Sequence, residues 1–535
     1  MTIFQSPGAA PSPFSTGASR DFSSAKIGFL LGSWLLLHLI VWTALPLIFT
    51  HALPVDLVEG VIWGQGWQLG YDQPPFQGWL LGFLDGLFGY QRWAVFLASQ
   101  VLVAICLWAV WRLARLIVNP LGALISVMLL DGILFFNFAS PNLFPDLIEL
   151  PLWALATWSF YRALRFGRLL DWLILGLCLA GAAYGKYVSF VLALVMIGFM
   201  LIEPQARRSW RTPGPYLCAA LCLLLLVPHL WWALQHNFPT IAHIDHVSRP
   251  TRGIGDHIVA LSGFVGGELG LISLMGLLLL TLVPSQDGAK KISLSGVPTI
   301  FDRRFVAAMA FGPIGLLLAG ALVSDVEFRV HWAYAMWCFV GLFAVVFLVP
   351  VIDKRATRRF AWAWLGVFVL VALLFAGANS LASRASPLRL PALSWEIPSK
   401  HVLRRLQREA GFPAPELADA ITEGWQQKIG GPLAYVIGSK WIAGNIAFFS
   451  TDHPLVLRDG NPEGSPWIDM VDLQRHGAAV VWEPADDANN ISAVLQQRFP
   501  SMEMQPPILI PSPSDPDLPP RRFAWGILPP PASTP

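Results

Sequence analysis

Charged residues are scarce in this chain, and their scarcity excludes most soluble architectures. Only 13% of its 535 residues are Asp, Glu, Lys or Arg, whereas 55% are hydrophobic. Soluble globular proteins carry about 25% charged residues. The formal net charge of +2 gives no reason to expect nucleic acid as a partner. Most of the chain is therefore expected to lie in a lipid bilayer.

Cysteine is rare as well. All five cysteines fall inside apolar stretches, so the polar C-terminal part has no disulfide framework and cysteine usage does not fix the compartment. That part also lacks a nucleophile elbow, a phosphate-binding loop and a metal-spaced cluster. Tryptophan, in contrast, is abundant, with 24 residues. This number is typical of proteins with aromatic belts at the level of the lipid headgroups.

Long apolar runs predict about eleven membrane-spanning helices, since each span needs about 20 largely apolar residues. The predicted spans are 27–50, 93–111, 118–137, 147–164, 170–185, 188–203, 214–234, 257–283, 304–323, 331–351 and 359–378. Residues 1–26, rich in Ser, Pro, Gly and Ala, are predicted to be a disordered cytoplasmic tail. Residues 27–380 are interpreted as one transmembrane domain, in which 51–92 form the first long outer loop.

The distribution of basic residues predicts the orientation of these spans. Arginine and lysine cluster in every second connection, for example at Arg112 and Arg115 and again at Arg207 and Arg208, and few lie in the connections between. The positive-inside rule therefore places the N-terminus in the cytoplasm. With an odd number of spans, everything after about residue 380 is expected on the outer side, together with the first long loop.

Residues 390–515 have ordinary soluble composition and predict a small extracytoplasmic α/β domain. Its predicted elements are buried strands at 434–438 and 478–482 and amphipathic helices at 401–410 and 491–499. The Pro-rich residues 516–535 are predicted to be an extended tail. The domain is interpreted as a packing or acceptor-docking unit. The expected fold class is an α-helical polytopic membrane protein with a C-terminal extracytoplasmic α/β domain.

The first outer loop contains the most informative cluster of polar residues. Asp56 and Glu59 lie one helical turn apart on the same face, beside aromatic and amide side chains. Asp56 has two interpretations, a helix N-cap that suits the helix dipole and a catalytic carboxylate. Capping does not account for the surrounding cluster, so the catalytic role is favoured. Glu59 is predicted to order Asp56 or to bind a metal ion, with a solvated surface acid as the alternative.

Further charged residues are predicted on the same side of the membrane. Asp146 ends the second outer loop, where a helix N-cap is again the alternative. Lys186 stands between two apolar helices on the side that is poor in cations, and is interpreted as a ligand of a lipid phosphate rather than a snorkelling residue. Arg249, Arg252 and Arg329 are further phosphate candidates, because guanidinium groups match phosphate oxygens bidentately.

Four histidines lie between residues 236 and 257. His243 and His246 are three residues apart, on one face if helical, and could bind a divalent ion together with a carboxylate such as Glu59. A full metal-binding motif is missing from this loop, and ordinary hydrogen bonding is the alternative. A divalent metal ion is therefore a candidate cofactor.

The pattern D-x-x-E-x-x-x-W-x-Q, followed by G-Y and Q-P-P, resembles the first outer loop of polytopic type-C glycosyltransferases. More narrowly, it is similar to the bacterial branch of the protein-mannosyltransferase and aminoarabinose-transferase superfamily, which includes the lipid A galacturonosyltransferases. The matching residues are Asp56, Glu59, Trp63, Gln65, Gly70, Tyr71, Gln73, Pro74 and Pro75. The segments 142–146, 185–187 and 329–332 also resemble this family.

The resemblance implies transfer of a sugar from a polyprenyl-phosphate donor to a lipid A, lipid, glycan or protein acceptor outside the cytoplasmic (inner) membrane of a bacterium. Asp56 is then expected to be the general base for the acceptor hydroxyl, with Glu59 beside it. Lys186, an arginine or a divalent cation would stabilise the leaving phosphate. The expected substrate-binding residues are Lys186, Asp146, Tyr71, Gln73, Trp63, Arg249, Arg329 and His331.

Two other functions stay open. A transporter or flippase of a lipid-linked glycan would use the acids as an ion relay, but it predicts acids near the membrane midplane and often an internal repeat. Here the acids gather at one face, and no repeat is evident in the sequence. A non-catalytic subunit that binds a lipid-linked glycan would keep the aromatic residues and tolerate the loss of Asp56.

Overall fold

The structure, a computed structural model, describes residues 24–247, 251, 253–284, 291–324, 326–384, 409–484, 491–513 and 517–531, except for the side chains of 244–247 and 491–494. The predicted tail 1–26 lies outside these residues apart from its last three, which begin the first helix. Arg249, Arg252 and most of the predicted helix 401–410 also lie outside them.

Helices form nearly all of the described part of residues 24–384. They are α1 (Ser24–Phe49), α2 (Val55–Gly64), α3 (Phe76–Phe88), α4 (Arg92–Ile117), α5 (Pro120–Met128), α6 (Pro145–Phe166), α7 (Leu169–Gly185), α8 (Phe190–Ile202), α9 (Pro204–Arg207), α10 (Gly214–Gln235), α11 (Pro239–Val247), α12 (Ile254–Thr281), α13 (Ile300–Val323), α14 (Val340–Phe343) and α15 (Lys354–Arg384). A short antiparallel pair, β1 (Ile292–Ser293) and β2 (Val351–Ile352), joins two connections. The core of this part is dense in large apolar side chains such as Trp153, Phe305 and Tyr334, all fully buried.

Seven helices of the described part are long and apolar enough to cross a membrane. They are α1, α4, α10, α12, α13, α15 and the helical stretch Val330–Leu348. An eighth candidate is the pair Tyr187–Ile202 and Pro204–Arg211, bent by 92°, and Pro120–Gly132 and Leu169–Gly185 are shorter apolar helices. Helical structure lies at each of the eleven predicted positions. The prediction of an α-helical polytopic membrane protein is confirmed.

The first outer loop contains two further helices, α2 and α3, which pack tightly against each other. Glycines allow this contact, because a Cβ atom on Gly82 would lie 2.6 Å from the carbonyl oxygen of Gly64. The two helices have 10 and 13 residues. They are too short to span a bilayer, so neither is among the predicted membrane spans. Together they form a compact hairpin that carries Asp56 and Glu59.

The predicted span 118–137 is a broken helix. After α5 the chain continues in short 3-10 turns, and non-helical backbone at this depth needs partners for its polar groups. Asn137 Nδ2 donates to the carbonyl oxygen of Asp131 at 2.7 Å, and Ser140 Oγ donates to Gln100 Oε1 at 3.1 Å. These bonds hold the second outer loop from within the helical bundle.

A five-stranded mixed sheet forms the centre of the C-terminal domain, with strand order β4-β3-β5-β7-β6. The strands are β3 (Tyr435–Gly438), β4 (Leu455–Arg458), β5 (Ala478–Trp482), β6 (Glu503–Ile510) and β7 (Arg521–Leu528), and the helices are α16 (Ala414–Ile429), α17 (Lys440–Phe449), α18 (Met470–His476) and α19 (Ile491–Arg498). Strand β3 runs parallel to β4 and β5, whereas β7 is antiparallel to β5 and β6. The two strands expected from the sequence are therefore confirmed.

The structure differs from the predicted start of the tail at residue 516. The proline content predicts that residues 521–528 belong to an extended tail. In the structure these residues form β7, between β5 and β6. The prolines flank this strand and none lies within it. Its alternate residues Phe523, Trp525 and Ile527 are 0%, 5% and 2% exposed, so β7 is part of the core of the domain.

The C-terminal domain packs directly on α2. Gly444 of α17 approaches Val58 so closely that a Cβ atom there would lie 2.3 Å from Val58 Cγ1. On the same side, the backbone N–H of His51 donates to the carbonyl oxygen of Glu409 at 3.1 Å. The loop that carries Asp56 therefore forms an interface between the membrane domain and the soluble domain.

Candidate functional site

A cavity of about 860 Å³ lies between the helical bundle and the C-terminal domain. Its walls come from α2, from the second outer loop, from the connection after α7, from the segment that precedes Val330–Leu348 and from the start of α17. The predicted site residues on these walls are Asp56, Glu59, Trp63, Gln73, Asp146, Lys186, His243, Arg329 and His331. Residues that are distant in sequence therefore share one cavity.

Asp56 lies in the first turn of α2. Asn142 Nδ2 donates a hydrogen bond to Asp56 Oδ2 at 2.9 Å. The side chain of Gln77, only 1% exposed, donates from Nε2 to the carbonyl oxygens of Asp56 and Leu143, both at 2.7 Å. Gln77 thus joins the first outer loop to the second, and Asn142 orients the carboxylate.

The helix start does not match the alternative role of Asp56 as an N-cap. The N-cap residue of α2 is Pro54, and Asp56 is two residues further along the chain. At that position its negative charge still suits the positive end of the helix dipole. The Asp56 side chain is thus held by Asn142 at the cavity wall, where a carboxylate can act as a general base.

Glu59 is engaged by the C-terminal domain. Lys440 Nζ lies 2.9 Å from Glu59 Oε1 and Arg458 Nη1 lies 3.6 Å from it, while Arg458 also contacts Asp72 Oδ2 at 2.6 Å. Burial lowers the pKa of the Arg458 guanidinium, but Asp72 and Glu59 outweigh this effect and raise that pKa above its ordinary value. The pairing favours a role for Glu59 in joining the two domains.

Asp146 and Lys186 form an ion pair in the cavity wall. Lys186 Nζ lies 2.7 Å from Asp146 Oδ1, and the side chains are 16% and 3% exposed. The N-cap of α6 is Phe144, so Asp146 is not the capping residue. Glu149, one turn further into α6, is 1% exposed and also interacts electrostatically with Lys186. The ammonium group predicted to meet a phosphate is therefore shared with two carboxylates.

Arg329 and His331 reach the cavity from the start of the helical stretch Val330–Leu348, where Arg329 is the N-cap residue and His331 lies in the first turn. His331 lies within electrostatic range of Asp56, Asp146 and Lys186. A guanidinium and an imidazole can both donate hydrogen bonds to phosphate oxygens. Together with Lys186 they make this side of the cavity suitable for an anionic group.

Tyr71 shapes the first outer loop. Its ring stacks on Trp63 with 5.3 Å between the ring centroids, and its hydroxyl donates to the carbonyl oxygens of Trp63, at 2.6 Å, and Gly66. Tyr71 is 4% exposed, and burial raises the pKa of its hydroxyl to about 12. The hydroxyl is thus occupied by backbone, whereas Trp63 and Gln73 lie on the cavity wall.

The expected metal ligands Glu59, His243 and His246 stay a prediction. His243 lines the cavity, and burial lowers the pKa of its imidazole despite the opposing charges of Asp72 and Glu59. The side chain of His246 lies outside the described residues, as does Arg249. Within the described residues, no group of three or more His, Cys, Asp or Glu side chains is placed to hold a metal ion.

Three further residues take part in the site without a predicted role, namely Gln77, Asn142 and Lys440. Asn142 belongs to the second-loop match, yet its position opposite Asp56 depends on the fold. Gln77 has a local signal, because an amide in an apolar helix face requires hydrogen-bond partners when it is buried. Lys440 has no local signal in the sequence, since its partner Glu59 is 381 residues away.

The polytopic helical bundle and its acid- and cation-lined cavity fit the resemblance to type-C glycosyltransferases that the sequence motifs carry. Residues 72–232 match a family model described as dolichyl-phosphate-mannose-protein mannosyltransferase. The matched stretch begins after Asp56 and Glu59 and includes Asn142, Asp146 and Lys186. This stretch is therefore similar to a glycosyltransferase family, and the resemblance found in the sequence is confirmed.

The chain is also similar to a curated protein, the lipid A galacturonosyltransferase RgtD of Rhizobium johnstonii. The two are 27% identical over 203 residues, which cover 36% of this chain and 41% of RgtD. The chain thus spans about two fifths of the length of the curated relative it matches. Both comparisons name glycosyltransferases, and the seven long apolar helices of the described residues indicate a multi-pass membrane protein.

Proposed function

We propose that the protein is an integral membrane glycosyltransferase that moves a sugar from a polyprenyl-phosphate-linked donor to an extracytoplasmic acceptor. One observation carries the proposal. A single cavity contains an oriented carboxylate, Asp56, and three donors for a phosphate, Lys186, Arg329 and His331. Transfer from a lipid phosphate needs both features, a base for the acceptor and positive charge for the leaving group.

An apolar part of the cavity wall suits the lipid tail of the donor. Leu317, Phe328, Trp332 and Phe375 line it, beside Arg329. They come from α13, from α15 and from the segment between these helices. A polyprenyl chain held against them would carry its phosphate to the guanidinium of Arg329.

In the proposed reaction the acceptor hydroxyl oxygen bonds to the anomeric carbon while the bond from that carbon to the phosphate oxygen breaks. Asp56 takes the hydroxyl proton. The electron pair of the broken bond leaves with the lipid phosphate, whose charge Arg329 and Lys186 stabilise. The transition state has oxocarbenium character, as in glycoside hydrolysis, and a single displacement inverts the anomeric carbon. A divalent ion has no step in this scheme, because Glu59 is paired with two cations.

The comparison with RgtD, by its name a lipid A galacturonosyltransferase, favours lipid A or a related envelope lipid as the acceptor. A glycan or a protein hydroxyl could be glycosylated by the same chemistry. The alternation of basic connections supports an inner-membrane location with the cavity on the outer side, where such acceptors are found.

The test is Asp56→Asn, which keeps the size of the side chain and removes the base. Transfer is expected to fall by about 10²–10⁴-fold, the usual contribution of a general base. The measurement is the incorporation of labelled sugar from a pool of polyprenyl-phosphate sugars into envelope lipids by the purified protein. Asp85→Asn is the matched control, because Asp85 lies on α3 and has no role in the proposed chemistry.

The results of these measurements distinguish a glycosyltransferase from a flippase and from a non-catalytic binding subunit. Full transfer by Asp56→Asn with a folded protein would exclude Asp56 as the base. A flippase would move lipid-linked glycan across vesicles, lose this transport with its ion relay in Asp56→Asn, and form no new glycosidic bond in any variant. A non-catalytic binding subunit would bind the donor equally well with either residue and give no product even as the unsubstituted protein.

A further inference from the structure

A second depression, of about 500 Å³, lies at the end of the bundle that is remote from the cavity. We call it the arginine groove and define it by Trp111, Arg112, Arg115, Trp158, Arg162 and Arg168, which line it. These residues come from the C-terminal ends of α4 and α6 and from the turn before α7. The proposed glycosyl transfer uses none of them.

Two helices connect the groove with the cavity and show how far apart they are. Helix α6 has Asp146 at the cavity and Arg162 at the groove, about 24 Å apart at 1.5 Å per residue. Helix α1 has Ser24 at the groove and Pro46 at the cavity, about 33 Å apart by the same measure. These separations approach the thickness of a bilayer core, about 30 Å, so the groove lies near the opposite membrane surface.

The groove has a strong excess of positive charge. Four guanidinium groups line it, and among the described residues that line it none is acidic. One of them, Arg162, pairs with a carboxylate outside the lining, since its Nε lies 2.9 Å from Asp171 Oδ1. At least three positive charges are therefore left without a counter-charge in the lining, and an anion in the groove would reduce their mutual repulsion.

Tryptophan rings hold these guanidinium groups in place. The Cζ atoms of Arg112 and Arg162 lie 5.0 and 5.1 Å from the centroid of the Trp158 ring, and that of Arg115 lies 5.5 Å from Trp111. Such cation–π contacts fix the planar groups before any ligand arrives. The indole nitrogens of Trp111 and Trp158 are buried and have no hydrogen-bond partner among the described residues.

From these observations we infer that the arginine groove binds the phosphate of an anionic phospholipid. Guanidinium groups donate hydrogen bonds in a planar fork that matches the oxygens of a phosphodiester. Basic pockets between membrane helices near the headgroup level are known to suit such lipids. A lipid rather than a soluble phosphate is favoured because Leu116 and Phe166, beside the groove, are 43% and 54% exposed and offer apolar contact to the acyl chains.

The positive-inside rule alone accounts for arginines on this side of the membrane. It does not account for a groove in which three of the guanidinium groups stack on the rings of Trp111 and Trp158. Arg355 and Arg358, at the start of α15, belong to another basic connection of the same class and are not part of the groove lining. They supply a control with equal loss of charge.

The experiment is a titration of the purified full-length protein with phosphatidylglycerol, read by native mass spectrometry, with phosphatidylcholine as the neutral reference. Arg112→Gln/Arg115→Gln is expected to weaken phosphatidylglycerol binding by about thirtyfold, since each basic side chain at a lipid surface contributes about a factor of five. Arg355→Gln/Arg358→Gln is expected to leave that binding unchanged. Arg115→Gln/Arg168→Gln keeps both guanidinium groups that stack on Trp158 and serves if the first variant does not fold.

A third arm uses inorganic phosphate to separate the two sources of the anion. Millimolar phosphate is expected to leave phosphatidylglycerol bound. Equal binding by the groove variants and the control would overturn the proposal. So would displacement of the lipid by inorganic phosphate that itself depends on Arg112 and Arg115, because the groove would then be a site for a soluble anion.

Discussion

At the scale of single residues, Lys186 is a cation of the site that lies close to two acidic side chains, Asp146 and Glu149. It contacts Asp146 at 2.7 Å in a nearly buried pair, and Glu149 lies one turn further into the same helix. Removing the ammonium group leaves two buried carboxylates without their cation, and breaking a buried ion pair in this way costs about 3–5 kcal/mol. Lys186 thus has a structural role in addition to the proposed contact with the donor phosphate.

Substitutions of this pair can separate the two roles. Lys186→Ala is expected to lower the Tm and to raise the apparent KM for the donor. Adding Asp146→Asn is expected to restore part of the Tm, because one of the two unpaired carboxylates is then neutral, but not the KM. Thermal unfolding and donor titrations measure the two effects.

The control for Lys186 is Arg304→Ala, which breaks the ion pair between Arg304 and Glu203 (2.9 Å) away from the cavity. Its KM for the donor is expected to equal that of the unsubstituted protein. An unchanged KM in Lys186→Ala, with only the Tm lowered, would remove Lys186 from the donor site and leave Arg329 and His331 as the phosphate ligands.

At the scale of elements, α2 connects the two domains through the amide of Gln65. Gln65 Nε2 donates to the carbonyl oxygen of Pro454 at 2.9 Å, and its Oε1 accepts from the N–H of Val456 at 3.0 Å. The side chain therefore pairs with β4, the edge strand of the sheet, much as a neighbouring strand would. An exposed edge is protected in this way, and the C-terminal end of α2 is fixed.

Gln65→Ala is expected to loosen this contact. The loss of two neutral hydrogen bonds, each about 1 kcal/mol, should speed hydrogen exchange at the N–H of Val456 by roughly tenfold or more. Transfer should fall as well, because small displacements of a catalytic group reduce the rate strongly. Exchange measured by mass spectrometry and the transfer assay check both effects.

Gln91→Ala is the matched control for that variant. Gln91 also belongs to the first outer loop, but its side chain is exposed and bonds only to the carbonyl oxygen of Gly89 at 3.2 Å. Unchanged exchange at Val456 in Gln65→Ala would mean that other contacts hold α2 against the domain.

The elements that the sequence predicted well are those with a local signal. The helices of the bundle follow from apolar runs of about 20 residues, and β3 and β5 follow from short buried runs between turns. Helices α2 and α3 are short and rich in glycine, so they resemble a loop in composition. Strand β7 is flanked by prolines, which mark an extended tail until the neighbouring strands β5 and β6 are known.

The same distinction applies to the site. The grouping of Asp56, Asp146 and Lys186 could be predicted, because the alternation of basic connections puts all three on one side of the membrane and ionisable residues close to membrane depth stand out in the sequence. The engagement of Glu59 by Lys440 and Arg458 could not, since it depends on how a separate domain docks. Tyr71 was expected to contact substrate from its motif alone, and only the fold reveals that its hydroxyl is bonded to backbone.

At the scale of the whole molecule, the first outer loop depends on the C-terminal domain for its conformation. Its contacts to that domain through Glu59, Gln65 and Asp72 join residues separated by 381 to 391 positions. Much of the packing in the bundle, in contrast, joins helices that lie closer in sequence, such as α6 and α7 or α4 and α6.

A chain that ends after Arg384 is therefore expected to insert into the membrane and to lack transfer activity. Its loop 51–92 should be cut rapidly by protease in membranes, whereas the same loop of the full chain is protected by α17 and β4. Gel analysis of the fragments measures this, with the 204–213 connection as the reference site in both proteins. A protected loop and normal transfer in the shortened chain would contradict the dependence on the docked domain.

The long separation between the loop and its partners also has a consequence in time. Glu59 leaves the ribosome 381 residues before Lys440, which at 5–20 residues per second corresponds to roughly 20–80 s. During this interval the loop that carries Asp56 is already synthesised but has not met Lys440, Arg458 or β4. The order of synthesis thus postpones the docking of this loop. A nascent chain would hold Asp56 in the geometry described above only after the C-terminal domain has been synthesised.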